Sequence, residues 1–165
     1  MTLMLRDSVE QDLPAVLATE SDPDVSRWIT VWTRERHVQA MRADDEAHMV
    51  FCERERTLGF LLLAGLGTPE IELRRIALTR RGEGIGAAAL ELALGYAFDI
   101  LGAHRVWLDV LPENARAIAL YARIGLQDDG EAPHAHLLPD GSSMTLRLMS
   151  IRKAVWLTAP GGRTS

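Results

Sequence analysis

The run of apolar and polar positions divides the chain into six strand-like stretches and four helix-like ones. The strand-like stretches are Leu3–Ser8, His48–Arg54, Thr57–Leu66, Glu70–Thr79, His104–Leu111 and Ser142–Ser150. A helix is predicted from Ser8, where Ser8 and Gln11 stand at capping-box spacing and Leu13, Val16 and Leu17 follow in helical period. It breaks at "SDPD". A second short helix starts at Thr33, a candidate N-cap. The third covers Gly84 to Leu101, with Ile85, Ala89, Leu92, Tyr96 and Ile100 in one stripe and Leu90, Leu94 and Leu101 in another, so it is largely buried. The fourth, "PENARAIALYARIG", closes at Gly125.

One strand carries a fault. In "EIELRRIALT", Ile71 and Leu73 alternate with polar residues, Arg74 and Arg75 come together, and the apolar set resumes at Ile76 and Leu78. A period of two that slips by one residue predicts a β-bulge, a feature common beside active sites. The polar segment from Glu53 to Arg56 predicts a hairpin. Together these elements make one α+β domain over residues 1–155, with a mixed, mostly antiparallel sheet flanked by helices. Residues 156–165 are expected to form a flexible tail.

Composition narrows the function. With 47% hydrophobic and 25% charged residues, the chain falls in the ordinary globular class. A formal net charge of -5 argues against a nucleic-acid partner held through phosphates. The longest apolar run, Gly59–Gly67, is far short of the ~20 residues of a membrane helix, so no membrane partner is expected. A single cysteine, Cys52, excludes an internal disulfide and suits a reducing compartment. With no signal peptide visible, a cytoplasmic location is expected. Cys52 reads as packing, and His134 and His136 lack a third ligand, so no metal site is expected.

The chemistry concentrates at "RRGEGIG", Arg80–Gly86, between the bulged strand and a helix start. Glycine permits close backbone approach, and the unpaired amides of a helix N-terminus favour an anion such as a pyrophosphate. For this stretch alone an ordinary strand–helix turn is the better reading. It is no Walker A loop, since no Gly-Lys-Ser/Thr follows, and it lacks the G-x-G-x-x-G spacing of dinucleotide folds.

Two motifs read together narrow the choice. Arg81, Gly84 and Gly86 fit the pattern Gln/Arg-x-x-Gly-x-Gly/Ala. Asn114, Ala117, Leu120, Tyr121 and Gly125 fit Asn-x-x-Ala-x-x-Leu-Tyr-x-x-x-Gly-Phe, with Leu126 in place of Phe. In this order and spacing they resemble the GNAT superfamily of N-acetyltransferases. The stretch Leu5–Trp32 is similar to the branch of ribosomal-protein N-terminal acetyltransferases. The resemblance implies the GNAT fold, layered α/β/α, with the central sheet splayed between strands four and five and acetyl-CoA bound as cosubstrate in the gap. It assigns the backbone of Ile76, Ala77 and Leu78 to pantetheine, and the amides of Arg81, Gly82, Glu83, Gly84, Ile85, Gly86 and Ala87 to the pyrophosphate. Asn114 and Ala117 fall in the same coenzyme site. Tyr121 sits at the position of the general acid, and Asn114 either orients a ligand or caps the helix that follows. The expected base is Glu72, then Asp109, then Glu70. Trp28, Trp32 and Glu70 are placed at the acceptor, where the two tryptophans either line the cleft or anchor a short helix.

The implied reaction is direct attack of a primary amine on the thioester. A free α-amine has a pKa of about 7.7–8.0 against about 10.4 for lysine, so a modest base suffices for it. A protein or peptide α-amine is therefore the expected acceptor. A small-molecule amine (an amino acid, polyamine or aminoglycoside) and a non-catalytic acyl-CoA-binding module are the alternatives. The chain is expected to act as a monomer or homodimer.

Overall fold

Strand alternation and helical period assemble into one seven-stranded sheet with helices on both faces. The computed structural model describes residues 2–138 and 140–158. The strands are β1 (Met4–Asp7), β2 (Glu46–Glu53), β3 (Arg56–Ala64), β4 (Glu70–Leu78), β5 (Arg105–Val110), β6 (Gln127–Leu137) and β7 (Ser143–Arg152). The helices are α1 (Leu13–Ser21), α2 (Pro23–Ser26), α3 (Arg34–Arg42), α4 (Ile85–Gly95), α5 (Ala115–Ile124) and α6 (Lys153–Thr158). Spatial order is β1-β2-β3-β4-β5-β7-β6. Every neighbouring pair is antiparallel except β4 with β5.

That exception shapes the molecule. β4 and β5 pair only at Glu70–Glu72 against Arg105–Trp107 and then part. Just past this point β4 carries the bulge expected from the sequence. Leu62 faces Arg75 and Leu63 faces Leu73, which leaves Arg74 as the extra residue. The expected fold, a mixed sheet splayed between its fourth and fifth strands, is what forms.

Two apolar layers hold the sheet. Ile71, Leu73, Val106 and Leu108 pack beneath Leu90, Leu94, Ala97 and Phe98 of the long helix. On the opposite face Val50, Phe60 and Ala77 pack against Val16 of α1 and Val25 of α2. After α4 the chain continues through a π turn, Tyr96–Ile100. Its wider winding brings Ala97 and Phe98 inward and leaves Ile100 68% exposed, so Ile100 drops out of the expected stripe.

Several local expectations change. Thr33 caps α3 as expected, accepting from the amide of Arg36 at 3.2 Å. Ser8 does not cap α1. Its hydroxyl lies 2.7 Å from His48 Nδ1, and a 3-10 turn, Glu10–Asp12, precedes the helix instead. There Asp12 accepts from the Val9 amide at 2.8 Å and from the Arg6 guanidinium at 2.8 and 2.9 Å. β6 was not expected: Gly130, Pro133 and a run of acidic residues hide an edge strand whose register slips twice. The expected tail begins inside helix α6, whose Trp156 is only 4% exposed and stacks on Phe98 at 5.9 Å between ring centroids. The expected boundary at residue 155 therefore cuts this helix, and the rest of the tail, 159–165, lies outside the described residues.

Candidate active site

Where β4 and β5 part, a cleft of about 730 Å³ opens. Its floor comes from Glu72–Leu78 on β4 and Leu108–Val110 on β5. Asn114, Ala117 and Tyr121 of the α5 region close one side. Arg80–Gly82 with Ile85 and Gly86 close the end, and Trp28–Thr30 with Trp32 form the wall opposite. Tyr121, Glu72 and Asp109 thus share one cleft with Ile76, Ala77, Leu78, Arg81, Gly82, Asn114, Trp28 and Trp32. Glu83, Gly84 and Ala87 are not in its lining. Neither is Glu70, which turns its carboxylate to Arg105 at 3.4 Å. Its strand position lies in the paired stretch, before the splay begins.

The turn ahead of α4 is built from three consecutive residues with positive φ: Gly82 at 82°, Glu83 at 56° and Gly84 at 74°. Glycine carries this at no steric cost, whereas Glu83 tolerates it with its side chain exposed and paired to Arg80 at 3.2 Å. The amides of Gly86 and Ala87 find no acceptor among the described residues, as helix starts leave them. They form a natural anion contact. Gly86 is small for a second reason. A Cβ there would come within 3.3 Å of Leu120 Cδ2, so it also lets α5 approach α4. The Arg81 guanidinium reaches across to the Asp24 carbonyl at 2.6 Å and ties the turn to α2.

Tyr121 packs its ring against the core and lines the cleft, and burial pushes its phenol up to about 12. Its hydroxyl takes no partner among the described residues and is not sealed from solvent. At neutral pH it is a held proton donor. Asn114 Oδ1 accepts from the Ala117 amide at 3.3 Å, so capping is one role it does fill. On β5 the buried Val106, Leu108 and Val110 alternate with Trp107 and Asp109, which puts Asp109 on the face shared by Glu72.

Behind the tryptophan wall lies a buried polar network that sequence reasoning missed. Glu20, fully buried at the end of α1, accepts from the Trp32 amide at 2.6 Å, from Arg75 at 2.7 Å and from His37 Nε2 at 3.0 Å. His37 Nδ1 lies 3.0 Å from His48 Nε2, and His48 Nδ1 meets Ser8. Arg75 also donates to the Thr30 carbonyl. Burial alone would raise Glu20, but its bonds from His37 and the Trp32 amide and the charge of Arg75 outweigh it and hold the carboxyl below its ordinary range. Burial, and then the neighbouring His37, lower His48 to about 4. Two guanidinium groups lie over the Trp32 ring, Arg75 at 3.9 Å and Arg36 at 4.0 Å from its centroid. Already held by two cations, it serves as a wall of the cleft.

A second cluster borders the cleft. Arg74 donates to Glu72 Oε2 at 3.0 and 2.8 Å and to Glu46 at 2.8 Å, and Glu46 also holds Arg36. Glu72 is thereby committed to a cation. Asp109 faces His134 Nε2 at 3.3 Å. Among the described residues no three His, Cys, Asp or Glu side chains gather to hold a metal ion. No described helix is long and apolar enough to cross a membrane.

Comparison with known proteins fits this geometry. Residues 2–127 match the acetyltransferase (GNAT) domain family. A spermidine N(1)-acetyltransferase of Escherichia coli K12 is 35% identical over 54 residues, 33% of this chain and 29% of that relative. The corresponding Vibrio cholerae protein is 36% identical over 55 residues, 33% of this chain and 32% of that one. The matched stretch thus spans about a third of these relatives. Among solved structures, a chimera of the V. cholerae spermidine N-acetyltransferase superposes with a TM-score of 0.82 at 20% identity. That match covers 96% of this chain and 100% of the other. The V. cholerae enzyme in complex with CoA and spermine gives 0.78 at 20% identity over 94% and 98%.

Proposed function

This chain belongs to the GNAT acetyltransferase domain family, and from that premise we propose that it transfers an acetyl group from acetyl-CoA to a primary amine of a small molecule, with polyamines the leading acceptor class. The observation that carries the transfer chemistry is the splay itself. Beyond Glu72 the β5-facing edge of β4 has no strand partner, and Tyr121 faces the gap.

The residues suit the cosubstrate. The free edge at Ile76–Leu78 offers backbone groups to an amide-bearing arm in the manner of an added strand. The unpartnered amides of Gly86 and Ala87 suit a pyrophosphate, and the rim arginines Arg80 and Arg116 add positive charge. When bound, acetyl-CoA supplies the activated thioester, so no covalent enzyme nucleophile is required. Tyr121 holds the proton that the departing thiolate needs. Trp28, Ile29 and Trp32 form the wall against which the acceptor chain lies.

Two supports favour a small amine over the protein α-amine expected from the sequence. The stretch of 54 residues shared with the E. coli protein belongs to an enzyme named for spermidine. The solved neighbour that holds an acceptor holds spermine. The ribosomal-protein resemblance of Leu5–Trp32 keeps the α-amine as the second reading.

The test is release of free thiol from acetyl-CoA in the presence of spermidine, spermine, a peptide with a free N-terminus, or an N-blocked lysine peptide. Turnover with the polyamines is expected. Turnover with the free N-terminus alone returns the acceptor to a protein α-amine. Acetyl-CoA binding without turnover on any amine makes the protein a binding module. Tyr121→Phe should lower turnover roughly 10²–10⁴-fold with acetyl-CoA affinity unchanged.

A further inference from the structure

The acetyl-transfer reading above leaves the amine's proton without a destination. Glu72, the base expected first, gives Oε2 to both Nε and Nη2 of Arg74, so its charge is already answered. Asp109 is different. Among the described residues its one ionic partner is His134 on β6, with Nε2 3.3 Å from Asp109 Oδ2. The arginine that pairs across from Val110, Arg147, turns instead to Asp128 at 2.8 Å and does not compete. His134 stands beside the cleft that Asp109 and His136 line, and its side chain is 58% exposed.

We propose that His134 is the proton acceptor of the reaction and that Asp109 orients it; this rests on the acetyl-transfer reading. The Asp109 carboxylate, 3.3 Å from Nε2, favours the proton on that nitrogen and so leaves the lone pair on Nδ1, which has no partner among the described residues. A base steered by a third group in this way is a recurring device of acyl transfer. Nδ1 takes one proton from the acceptor ammonium through a bridging water. The freed nitrogen pair forms the new bond to the acetyl carbon, the nitrogen sheds its second proton to bulk water, and as the carbon–sulfur bond breaks the thiolate takes its proton from Tyr121. The imidazolium faces the Asp109 carboxylate and releases its proton to bulk water through its exposed edge. Tyr121 regains a proton from solvent, so each turnover frees one proton.

The experiment uses the full chain with acetyl-CoA and an amine that the parent accepts, and compares His134→Ala with Asp109→Asn. His134→Ala should lower kcat on the order of 10²-fold with the KM for acetyl-CoA unchanged, and imidazole added to the buffer should restore much of the rate. Asp109→Asn should fall comparably and resist rescue, since the imidazole ring is present but wrongly held. Full activity in His134→Ala beside an inactive Asp109→Asn would make Asp109 itself the base and overturn the proposal. A slow His134→Ala that ignores imidazole would reduce His134 to a structural contact and overturn it equally. Both outcomes leave the acetyl-transfer reading intact. A parent that binds acetyl-CoA yet acetylates no amine removes that reading, and this proposal with it.

Discussion

His48 makes the stability of this fold depend on pH between about 6.5 and 4. The ring is buried against Phe60 and hydrogen-bonded to Ser8 and His37, and its pKa is lowered from 6.5 to about 4. The sign follows from proton counting. Between these two values the unfolded chain binds a proton that the folded protein excludes, so stability falls as pH falls. The contribution is fully present above about pH 6.5 and fades as pH drops toward 4. At about 1.36 kcal/mol per pKa unit, the loss between pH 7.5 and pH 5 comes to about 2 kcal/mol. The full span would cost about 3 kcal/mol, a sizeable part of a typical domain's stability of about 5–15 kcal/mol. Equilibrium unfolding in urea at both pH values reads it directly. With an m-value of about 1–3 kcal/mol/M, the midpoint should move by roughly 1 M. His48→Gln keeps a polar planar side chain toward Ser8 and His37 but cannot titrate, so its midpoint should move far less. Identical pH slopes for parent and variant would show that His48 is not excluded from protonation in the fold.

Two further changes probe the frame of the cleft. Glu20→Ala strips the acceptor from Arg75, His37 and the Trp32 amide at once and should cost about 3–5 kcal/mol, as breaking one side of a buried ion pair does. Urea unfolding at pH 7.5, followed by tryptophan emission, measures it, and a loss below about 1 kcal/mol would mean the network is not sealed from water. Gly59→Ala would set a Cβ 2.1 Å from the Ala77 carbonyl oxygen and 2.9 Å from Leu78 Cα. It should destabilise by at least the roughly 1–3 kcal/mol of an overpacked core and weaken acetyl-CoA binding through β4, whereas unchanged melting and calorimetric titration would sink this reading.

How much of this was legible in the sequence follows from how local each cause is. The bulge was visible because Arg74 and Arg75 break a period of two within a single strand, and the Thr33 cap because its partner lies three residues away. The shared cleft of Tyr121, Asn114, Arg81 and Gly86 was visible because two ordered motifs carry it. The buried network was not. Its bonds join residues 11, 17 and 55 positions apart, and each of Glu20, His37 and His48 looks like an ordinary polar residue in its own element. Ser8 misled for the same reason: its spacing suits a cap, yet its hydroxyl is claimed by His48, forty residues on. The partnership of His134 with Asp109 was out of reach because β6 itself was. A strand holding Gly130 and Pro133 shows no apolar alternation, and an edge position removes the need for it.

The extra residue in β4 links both halves of the proposed reaction. Before it, Ile71 and Leu73 face the α4 layer; after it, Ile76 and Leu78 pack on that side while Ala77 joins the α1–α2 layer. The slip is therefore what turns Arg75 toward Glu20 and Trp32. With a strict period of two it would point into the apolar layer under α4, where an unpaired guanidinium is prohibitively costly. A bulge also bends its strand and increases the local twist. Here the bend coincides with the end of pairing to β5 at Glu72, beyond which the edge proposed for acetyl-CoA lies free. One added residue thus frees the coenzyme edge on one side of β4 and anchors the acceptor wall on the other. Tyr121, the proposed acid, and Asp109, which orients the proposed base, stand along the gap it opens.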